Sequence, residues 1–171
     1  MKSPIAIDAR YIYPDHVHGI GRLSQRLLDA LAHLDTDTPY LLFKRHDHPA
    51  PIVDQPNFAE QPCAFSPISF GTWLRLPGRL RRARARLFHS LFPVAPLLTP
   101  CPSIVTVNDL QAITIRGFSG GRHPALQLAA AAFFLLAYWH SIHRACRVVA
   151  ISHATRNDIL AHYRIPPDRV T

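Results

Sequence analysis

Strand-like and helix-like segments alternate along this chain, and that alternation limits the fold more than any other feature of the sequence. An apolar segment at 5–10 (IAIDAR) is followed by a glycine-containing segment and an amphipathic helix pattern at 23–34. The same order returns near the other end, where VVAIS at 148–152 precedes a helix pattern at 153–163. Such alternation is typical of a doubly wound α/β domain with helices on both faces of a mostly parallel sheet. We therefore predict a single doubly wound α/β domain over residues 1–171.

The segments between these two ends fit the same plan. Strands are predicted at 40–43, 87–89 and 104–107, with one or two short strands near 52–53 and 63–65; the longest helix is predicted over 123–145, and a short arginine-rich helix after Pro77-Gly78. The segment after Pro166 has the pattern of a turn that enters a further strand. Because the sequence stops where that element begins, we expect it to be one half of a larger protein.

The composition and charge restrict the class of protein. Of the 171 residues, 48% are apolar and 18% are charged, as expected of a globular domain rather than a disordered chain. The formal net charge is +8, and arginine supplies nearly all of the basic side chains. Arginine binds phosphate and carboxylate groups well, although the coding composition of a genome produces the same bias.

Cysteine usage and hydropathy predict a cytoplasmic protein. The three cysteines, Cys63, Cys101 and Cys146, are far apart in the sequence, so we predict neither a disulfide framework nor a metal site. The apolar run at 128–139 is shorter than the about 20 residues that a membrane span needs, which favours a core helix. A peripheral contact with the inner face of the plasma membrane stays open.

Polar side chains follow four of the predicted strands, where ligands of open α/β sheets bind. They are Asp8 and Arg10, His89 and Ser90, Asn108 and Asp109, and Ser152 and Arg156. Each group also has an ordinary structural explanation: an Asx turn for Asn108 and Asp109, and a helix N-cap for Ser152. Together they predict a binding cleft, with Asn108 and Asp109 as candidate catalytic residues and the other six as candidate ligand contacts.

The segment Gly19-Ile20-Gly21-Arg22 follows the first strand and precedes a helix. Glycines at such a turn let backbone N–H groups approach an anion, and the helix dipole favours negative charge there. Position 24 is serine, so the full dinucleotide fingerprint is not present. The alternative is a tight turn that needs glycine for conformational reasons.

The densest run of charge lies at 75–86, where arginines alternate with leucines. Arg75, Arg79, Arg81 and Arg82 are the candidates for contact with an anionic membrane surface. A nucleic-acid contact is disfavoured, because no aromatic stacking platform or nucleic-acid module accompanies the run. A solvated helix face is the structural alternative.

An ordered set of segments resembles the N-terminal half of a family 4 glycosyltransferase. These segments are IAIDAR at 5–10, HGIGRLSQRLLDAL at 18–31, LFHSLFPVAPLL at 87–98, SIVTVNDLQ at 103–111, ACRVVAISHATRNDIL at 145–160 and PPDRVT at 166–171. The resemblance implies one half of a GT-B architecture, in which two Rossmann-like domains face each other across a cleft. It implies a retaining, metal-independent enzyme without a cofactor, which uses a nucleotide sugar as donor.

By this resemblance, the present chain is the acceptor-side domain and the donor-binding C-terminal domain is missing. Gly19 to Arg22 then lie near the donor diphosphate, and Asn108-Asp109 match the frequent His-Asp pair of the family. His89 and Ser152 line the same edge. One departure is that asparagine replaces the usual histidine, so this position retains hydrogen bonding but has no proton to titrate.

The expected function is transfer of a sugar to a glycan or lipid-linked acceptor in the synthesis of a cell-surface polysaccharide or glycolipid. We expect residues 1–171 alone to be inactive, because the donor half is absent. Two alternatives remain: a stand-alone module that binds an acceptor or a membrane, and a nucleotide-binding enzyme of another doubly wound class.

Overall fold

A computed structural model of the chain describes residues 2–13, 19–114 and 124–171. The strands in these ranges are β1 Ile5–Asp8, β2 Tyr40–Arg45, β3 Phe58–Cys63, β4 Leu87–Ser90, β5 Ser103–Val107 and β6 Arg147–Ala150. They form one sheet in the order β3-β2-β1-β4-β5-β6, and every neighbouring pair is parallel. This is the strand order of the Rossmann fold, which confirms the predicted fold class.

Helices connect or follow the strands. They are α1 Gly19–Leu34, α2 Phe70–Arg82, α3 Gln111–Thr114, α4 Pro124–Arg144 and α5 His153–Tyr163, with a 3-10 turn at Pro167–Arg169. The predicted long helix and final helix agree with α4 and α5. The turn after Pro166 leads to Val170, which forms a parallel bridge with Val148. His18 and His123, at the edges of two predicted segments, lie outside the described residues.

The sheet buries apolar side chains on both faces, which explains why its strands have a nearly continuous apolar pattern. Ile7 and Leu42 pack with Leu28 of α1 on one face. Ala6 and Phe43 point to the other face, where apolar side chains of α2, α4 and α5 pack. The predicted placement of helices on both faces is therefore confirmed.

Two predicted boundaries are wrong between β2 and β4. Instead of the short strands predicted near 52–53 and 63–65, the structure has the single strand β3. Ile52 and Val53 are buried in the loop that precedes it. The predicted helix after Pro77-Gly78 begins earlier, at Phe70. Its buried side chains lie on both sides of the proline, so packing against the sheet outweighs the local preference to end the helix there.

Candidate functional site

The strand order brings the four predicted strand ends together at one edge of the sheet. β1, β4, β5 and β6 are consecutive neighbours, and because they are parallel their carboxyl ends face the same way. The chain direction across the sheet reverses between β1 and β4, which is where ligands of this fold class bind. The carboxyl edge of β1, β4, β5 and β6 is the candidate site.

Asp8 and Arg10, at the end of β1, form a fully buried ion pair. The two side chains are 0% exposed, and Arg10 donates to Asp8 through Nε at 2.7 Å and Nη2 at 2.6 Å. Arg10 Nη2 also donates to Thr72 Oγ1 of α2 at 3.0 Å, and its Nη1 donates to the carbonyl of Phe65 at 3.3 Å. The Phe65 ring lies 4.8 Å below the guanidinium carbon. The pair therefore joins β1 to the segment that leads into α2.

The charge of Arg10 is kept inside the protein by its partner. Burial disfavours the charged guanidinium, but the charge and hydrogen bonds of Asp8 outweigh it, so the pKa of Arg10 lies above its ordinary value. The position of the pair gives it a structural role. A contact of Asp8 or Arg10 with an acceptor stays a prediction.

The predicted glycine loop is instead the first turn of α1, which begins at Gly19. The two glycines differ in their surroundings. A Cβ on Gly21 would lie 3.0 Å from the backbone carbonyl oxygen of Tyr11, whereas a Cβ on Gly19 would meet no atom of the described residues within 4 Å. Gly21 therefore allows α1 to approach the segment after β1, whereas Gly19 makes no such close contact with the described part of the chain.

Alanine substitutions are expected to separate these two roles. Gly21→Ala is expected to lower the free energy of unfolding by about 1–3 kcal/mol, because a backbone carbonyl must move to accept the new methyl group. Gly19→Ala, the matched control, is expected to be neutral or slightly stabilising, since alanine favours a helix. Urea unfolding of the two variants measures the difference, and equal stabilities would contradict this assignment.

Ser90 and Asn108 hold the loop after β4 in place. Ser90 is fully buried, and its Oγ donates to the carbonyls of Phe92 at 2.6 Å and Val94 at 3.2 Å. Asn108 is 7% exposed, and its Nδ2 donates to the carbonyl of Leu91 at 3.4 Å. Both side chains thus have internal hydrogen bonds that shape the edge between β4 and β5.

Asp109 is exposed beside these buried groups. Its Oδ1 accepts a hydrogen bond from the backbone N–H of Gln111 at 2.9 Å, the Asx turn that the sequence offered as an alternative. That turn fixes the direction of the side chain and leaves the carboxylate facing solvent. Asp109 is therefore well placed to bind a hydroxyl group of a ligand at this edge.

The start of α5 completes the edge beside β6. Ser152 Oγ accepts from the backbone N–H of Thr155 at 3.1 Å, so it is the predicted N-cap. Thr155 Oγ1 donates to the carbonyl of Asn108 at 3.2 Å and ties α5 to the end of β5. Ser152, His153 and Arg156 line an open cavity of about 480 Å³. The guanidinium of Arg156 makes long hydrogen bonds, at 3.4 Å, to two backbone carbonyls after α5.

A slightly larger cavity lies at the opposite edge of the sheet. It has a volume of about 560 Å³ and is lined by residues that precede β1, β2 and β3, such as Pro4, Pro39 and Asn57. Ligands of open parallel sheets bind at the carboxyl ends of the strands, so we place the candidate site at the carboxyl edge despite the smaller volume there.

His89 lies within β4, one residue before the strand ends. Its Nε2 and Thr106 Oγ1 of β5 are hydrogen-bonded at 2.9 Å, so the ring bridges two strands on a face of the sheet. Burial lowers the pKa of His89 to about 4, because the charged imidazolium loses its hydration. His89 is therefore neutral at pH 7, and its predicted contact with an acceptor stays a prediction.

The depressed pKa of His89 predicts acid sensitivity. Above its unfolded pKa of about 6.5 the ring is neutral in both states, whereas between about pH 6.5 and 4 only the unfolded chain takes up the proton. At pH 5 this difference costs about 2 kcal/mol of stability. His89→Gln retains a hydrogen-bonding group but does not titrate. The free energy of unfolding of this variant is therefore expected to fall by about 2 kcal/mol less than that of the parent between pH 7 and pH 5. An unchanged fall would show that His89 titrates normally.

No group of three or more His, Cys, Asp or Glu side chains close enough to hold a metal ion occurs within the described ranges. Metal independence stays a prediction of the family resemblance.

The structure also gives two residues roles that the sequence did not predict. The sequence marked Thr155 only by its position near the cap Ser152, and in the structure Thr155 joins α5 to β5. Tyr11, after β1, packs against Phe92 with ring centroids 4.5 Å apart and ring planes tilted by 35°. The Tyr11 hydroxyl is buried with no hydrogen-bond partner among the described residues, and burial raises its pKa well above the ordinary value. No sequence signal marked Tyr11, because its contacts come from a loop that is distant in sequence.

The sheet order defines a Rossmann-like α/β domain, and the reversal between β1 and β4 lies at the candidate site. The family model for glycosyltransferase family 4 matches residues 17–171, and the chain belongs to that family. The chain has no significant match among curated proteins. Family membership makes this a glycosyltransferase module with a sugar donor and an acceptor as substrates, and confirms the resemblance that the sequence motifs indicated.

Proposed function

We propose that the chain is the acceptor-side domain of a retaining glycosyltransferase. The complete enzyme moves a sugar from a nucleoside diphosphate to a glycan or a lipid-linked acceptor. The observation that carries the proposal is the single edge shared by the carboxyl ends of β1, β4, β5 and β6, with the first turn of α1 packed on the segment after β1 at Gly21. Asp109 is exposed at that edge, with its direction fixed by the hydrogen bond from Gln111.

The first turn of α1 suits the donor diphosphate. The backbone N–H groups of a helix N-terminus have no partner within the helix, and the dipole favours an anion there. A Cβ at Gly19 would meet no atom of the described residues within 4 Å, and Arg22 in the same turn is exposed. We assign Gly19, Ile20, Gly21 and Arg22 to this role, with Gly21 acting through the close packing of the helix.

Asp109 is the residue proposed to meet the acceptor. An exposed carboxylate of fixed direction can accept a hydrogen bond from the attacking hydroxyl and take up its proton. Asn108, directed inward to Leu91, supports the geometry of this turn and has no proton to give. Stabilisation of the departing diphosphate and orientation of the acceptor supply most of the catalysis, without a metal ion or another cofactor.

The proposed setting is the synthesis of a cell-surface polysaccharide or glycolipid on the cytoplasmic side of the plasma membrane. The structure divides the four arginines proposed for membrane contact. Arg75, Arg81 and Arg82 are exposed, whereas Arg79 donates to the carbonyl of Pro62 at 2.9 Å and lies 5.6 Å from the Phe65 ring centroid. Arg79 is thus partly buried and held by contacts within the domain, whereas the other three are exposed and remain available to lipid.

A transfer assay tests the function. Protein expressed from its complete coding sequence is incubated with labelled nucleoside diphosphate sugars and with lipid and glycan extracts of the producing cells. We expect label in one class of acceptor, with the anomeric configuration retained, and no transfer by residues 1–171 alone. Transfer by the isolated fragment would contradict its role as half of a site, and inversion would contradict the mechanism.

A stand-alone binding module is the second candidate, favoured by the exposed apolar side chains of α4. It predicts tight binding of the acceptor extract by residues 1–171 and no transfer by any longer form of the protein.

A further inference from the structure

Helix α4 is apolar on its outward face as well as on its buried face. Ala137, Tyr138 and Ile142 are buried against the sheet. On the outward side, Leu128 is 73% exposed, Leu135 51%, Leu136 53% and Trp139 54%. A helix on a domain surface normally presents polar side chains to water, and a continuous apolar face indicates an interaction site.

The apolar face continues onto α2. Phe133 of α4 stacks on Trp73 of α2 with ring centroids 4.9 Å apart, and the Phe70 ring meets Phe133 edge-on at 5.7 Å. Phe70 is 66% exposed and Leu74 is 71% exposed beside this contact. We define the α2–α4 surface as Phe70, Leu74, Leu128, Leu135, Leu136 and Trp139.

The two helices that carry this surface also carry exposed positive charge and no acidic residue. Arg75, Arg81 and Arg82 of α2 and Arg144 at the end of α4 are exposed. Between positions 61 and 157 the sequence contains one acidic residue, Asp109, and it lies in neither helix. Apolar and basic side chains exposed on the same helices match a bilayer with anionic headgroups.

The contacts of α4 decide how it meets a bilayer. It is the one helix among the described residues that is long and apolar enough to cross a membrane, a criterion that core helices of soluble proteins also meet. Its inner side is held in the domain, because Ser141 Oγ accepts a hydrogen bond from the Ala95 N–H at 2.8 Å and Tyr138 meets Phe92 edge-on at 5.8 Å. A helix packed in this way lies along a membrane surface and does not span it.

We propose that the α2–α4 surface docks on a bilayer containing anionic phospholipids, with α4 lying in the headgroup region and exposed arginines of the same helices at the lipid phosphates. The inference rests on the membrane-side location proposed above, and it places the contact on α4 rather than on the arginine run alone. A symmetric contact between two copies would bring the same arginines together, which disfavours a dimer. Nucleic acid would leave the apolar side chains without a partner.

Vesicle binding tests the proposal. The purified chain is mixed with phosphatidylcholine vesicles, with or without 30% phosphatidylglycerol as roughly the charge density of an anionic leaflet. Partition is measured by sedimentation. We expect at least about tenfold tighter binding to the anionic vesicles, weakening as salt is raised. Free phosphate at millimolar concentration is expected not to displace the protein, because the apolar face contributes to binding.

Two double variants locate the contact. Leu128→Ser/Leu135→Ser removes apolar area from α4 and is expected to reduce binding about tenfold or more. Leu23→Ser/Leu34→Ser, on exposed positions of α1 across the sheet, is the matched control and is expected to bind as the parent does. Thermal unfolding of both variants checks that the fold is retained.

A fluorescence measurement gives an independent readout. The sequence has two tryptophans, and Trp73→Phe leaves Trp139 as the reporter. Its emission is expected to shift to shorter wavelength when anionic vesicles are added, and brominated lipid is expected to quench it. An unchanged emission, or equal vesicle binding by the two double variants, would overturn the proposal. A concentration-dependent dimer that the α4 variant abolishes, with no vesicle binding, would identify the surface as a self-contact instead.

The result is independent of the transfer assay. Vesicle binding needs no sugar donor, and transfer to a water-soluble glycan needs no vesicle. If transfer occurs without vesicle binding, the membrane proposal has failed. If vesicle binding occurs without transfer, the proposed function has failed.

Discussion

Replacing Arg10 by methionine is expected to destabilise the domain by about 3–5 kcal/mol, because the buried carboxylate of Asp8 loses its only ionic partner recorded among the described residues. A loss of this size is a large fraction of the stability of a domain, so we expect a sharp fall in the urea midpoint. The hydrogen bond to Thr72 and the contact with the Phe65 ring are lost as well.

Two further variants make this result specific. The double variant Asp8→Leu/Arg10→Met removes both charges and is expected to recover much of the lost stability, since no charge is then buried alone. Arg45→Met is the matched control, because Arg45 pairs with Asp47 at the protein surface, where solvent screens the interaction, and little change is expected. If Arg10→Met and Arg45→Met had similar effects, the ion pair of β1 would not be a structural element.

Replacing Asp109 by asparagine is expected to lower the rate of sugar transfer by the complete enzyme about 10²- to 10⁴-fold, the range for loss of a group that exchanges a proton with the substrate. Asparagine retains an oxygen that can accept the Gln111 N–H, so the turn is expected to survive and stability to change little. The measurement is the initial rate of transfer at saturating donor, together with the urea midpoint.

Asp47→Asn provides the comparison for this prediction. Asp47 is an exposed carboxylate that follows β2 and pairs with Arg45, so the same chemical change there is expected to leave transfer unaffected. If transfer by Asp109→Asn stayed within a few-fold of the parent, Asp109 would be a structural residue of the turn and the proton acceptor would lie elsewhere.

Much of the fold was predictable because each pattern is local. Apolar strands bounded by polar loops located β1, β4, β5 and β6, and the serine before α5 marked its N-cap. The predictions failed where tertiary contacts outweighed local preference. α2 continues through Pro77 because its buried side chains lie on both sides of that residue, and β3 forms at 58–63 because it pairs with all six residues of β2.

The position of the candidate site was predictable, whereas the burial and direction of its side chains were not. Parallel strands bring their carboxyl ends to one edge, so four strand ends in the sequence sufficed to locate it. Whether a side chain points into the domain or into solvent depends on distant segments. The inward direction of Arg10 follows from Phe65 and Thr72, and no pattern near Arg10 in the sequence records them.

The central position of β1 has a consequence for synthesis of the protein. β1 ends at Asp8, and one of its two neighbours in the sheet, β4, begins only at Leu87. At about 5–20 residues per second, a ribosome needs several seconds to supply that neighbour. During this interval the β1–α1–β2–β3 portion has an open strand edge able to pair with other chains. We therefore expect nascent chains in which β4 has not yet left the ribosome to associate with chaperones and to aggregate more readily than chains from which β4, β5 and β6 have all emerged.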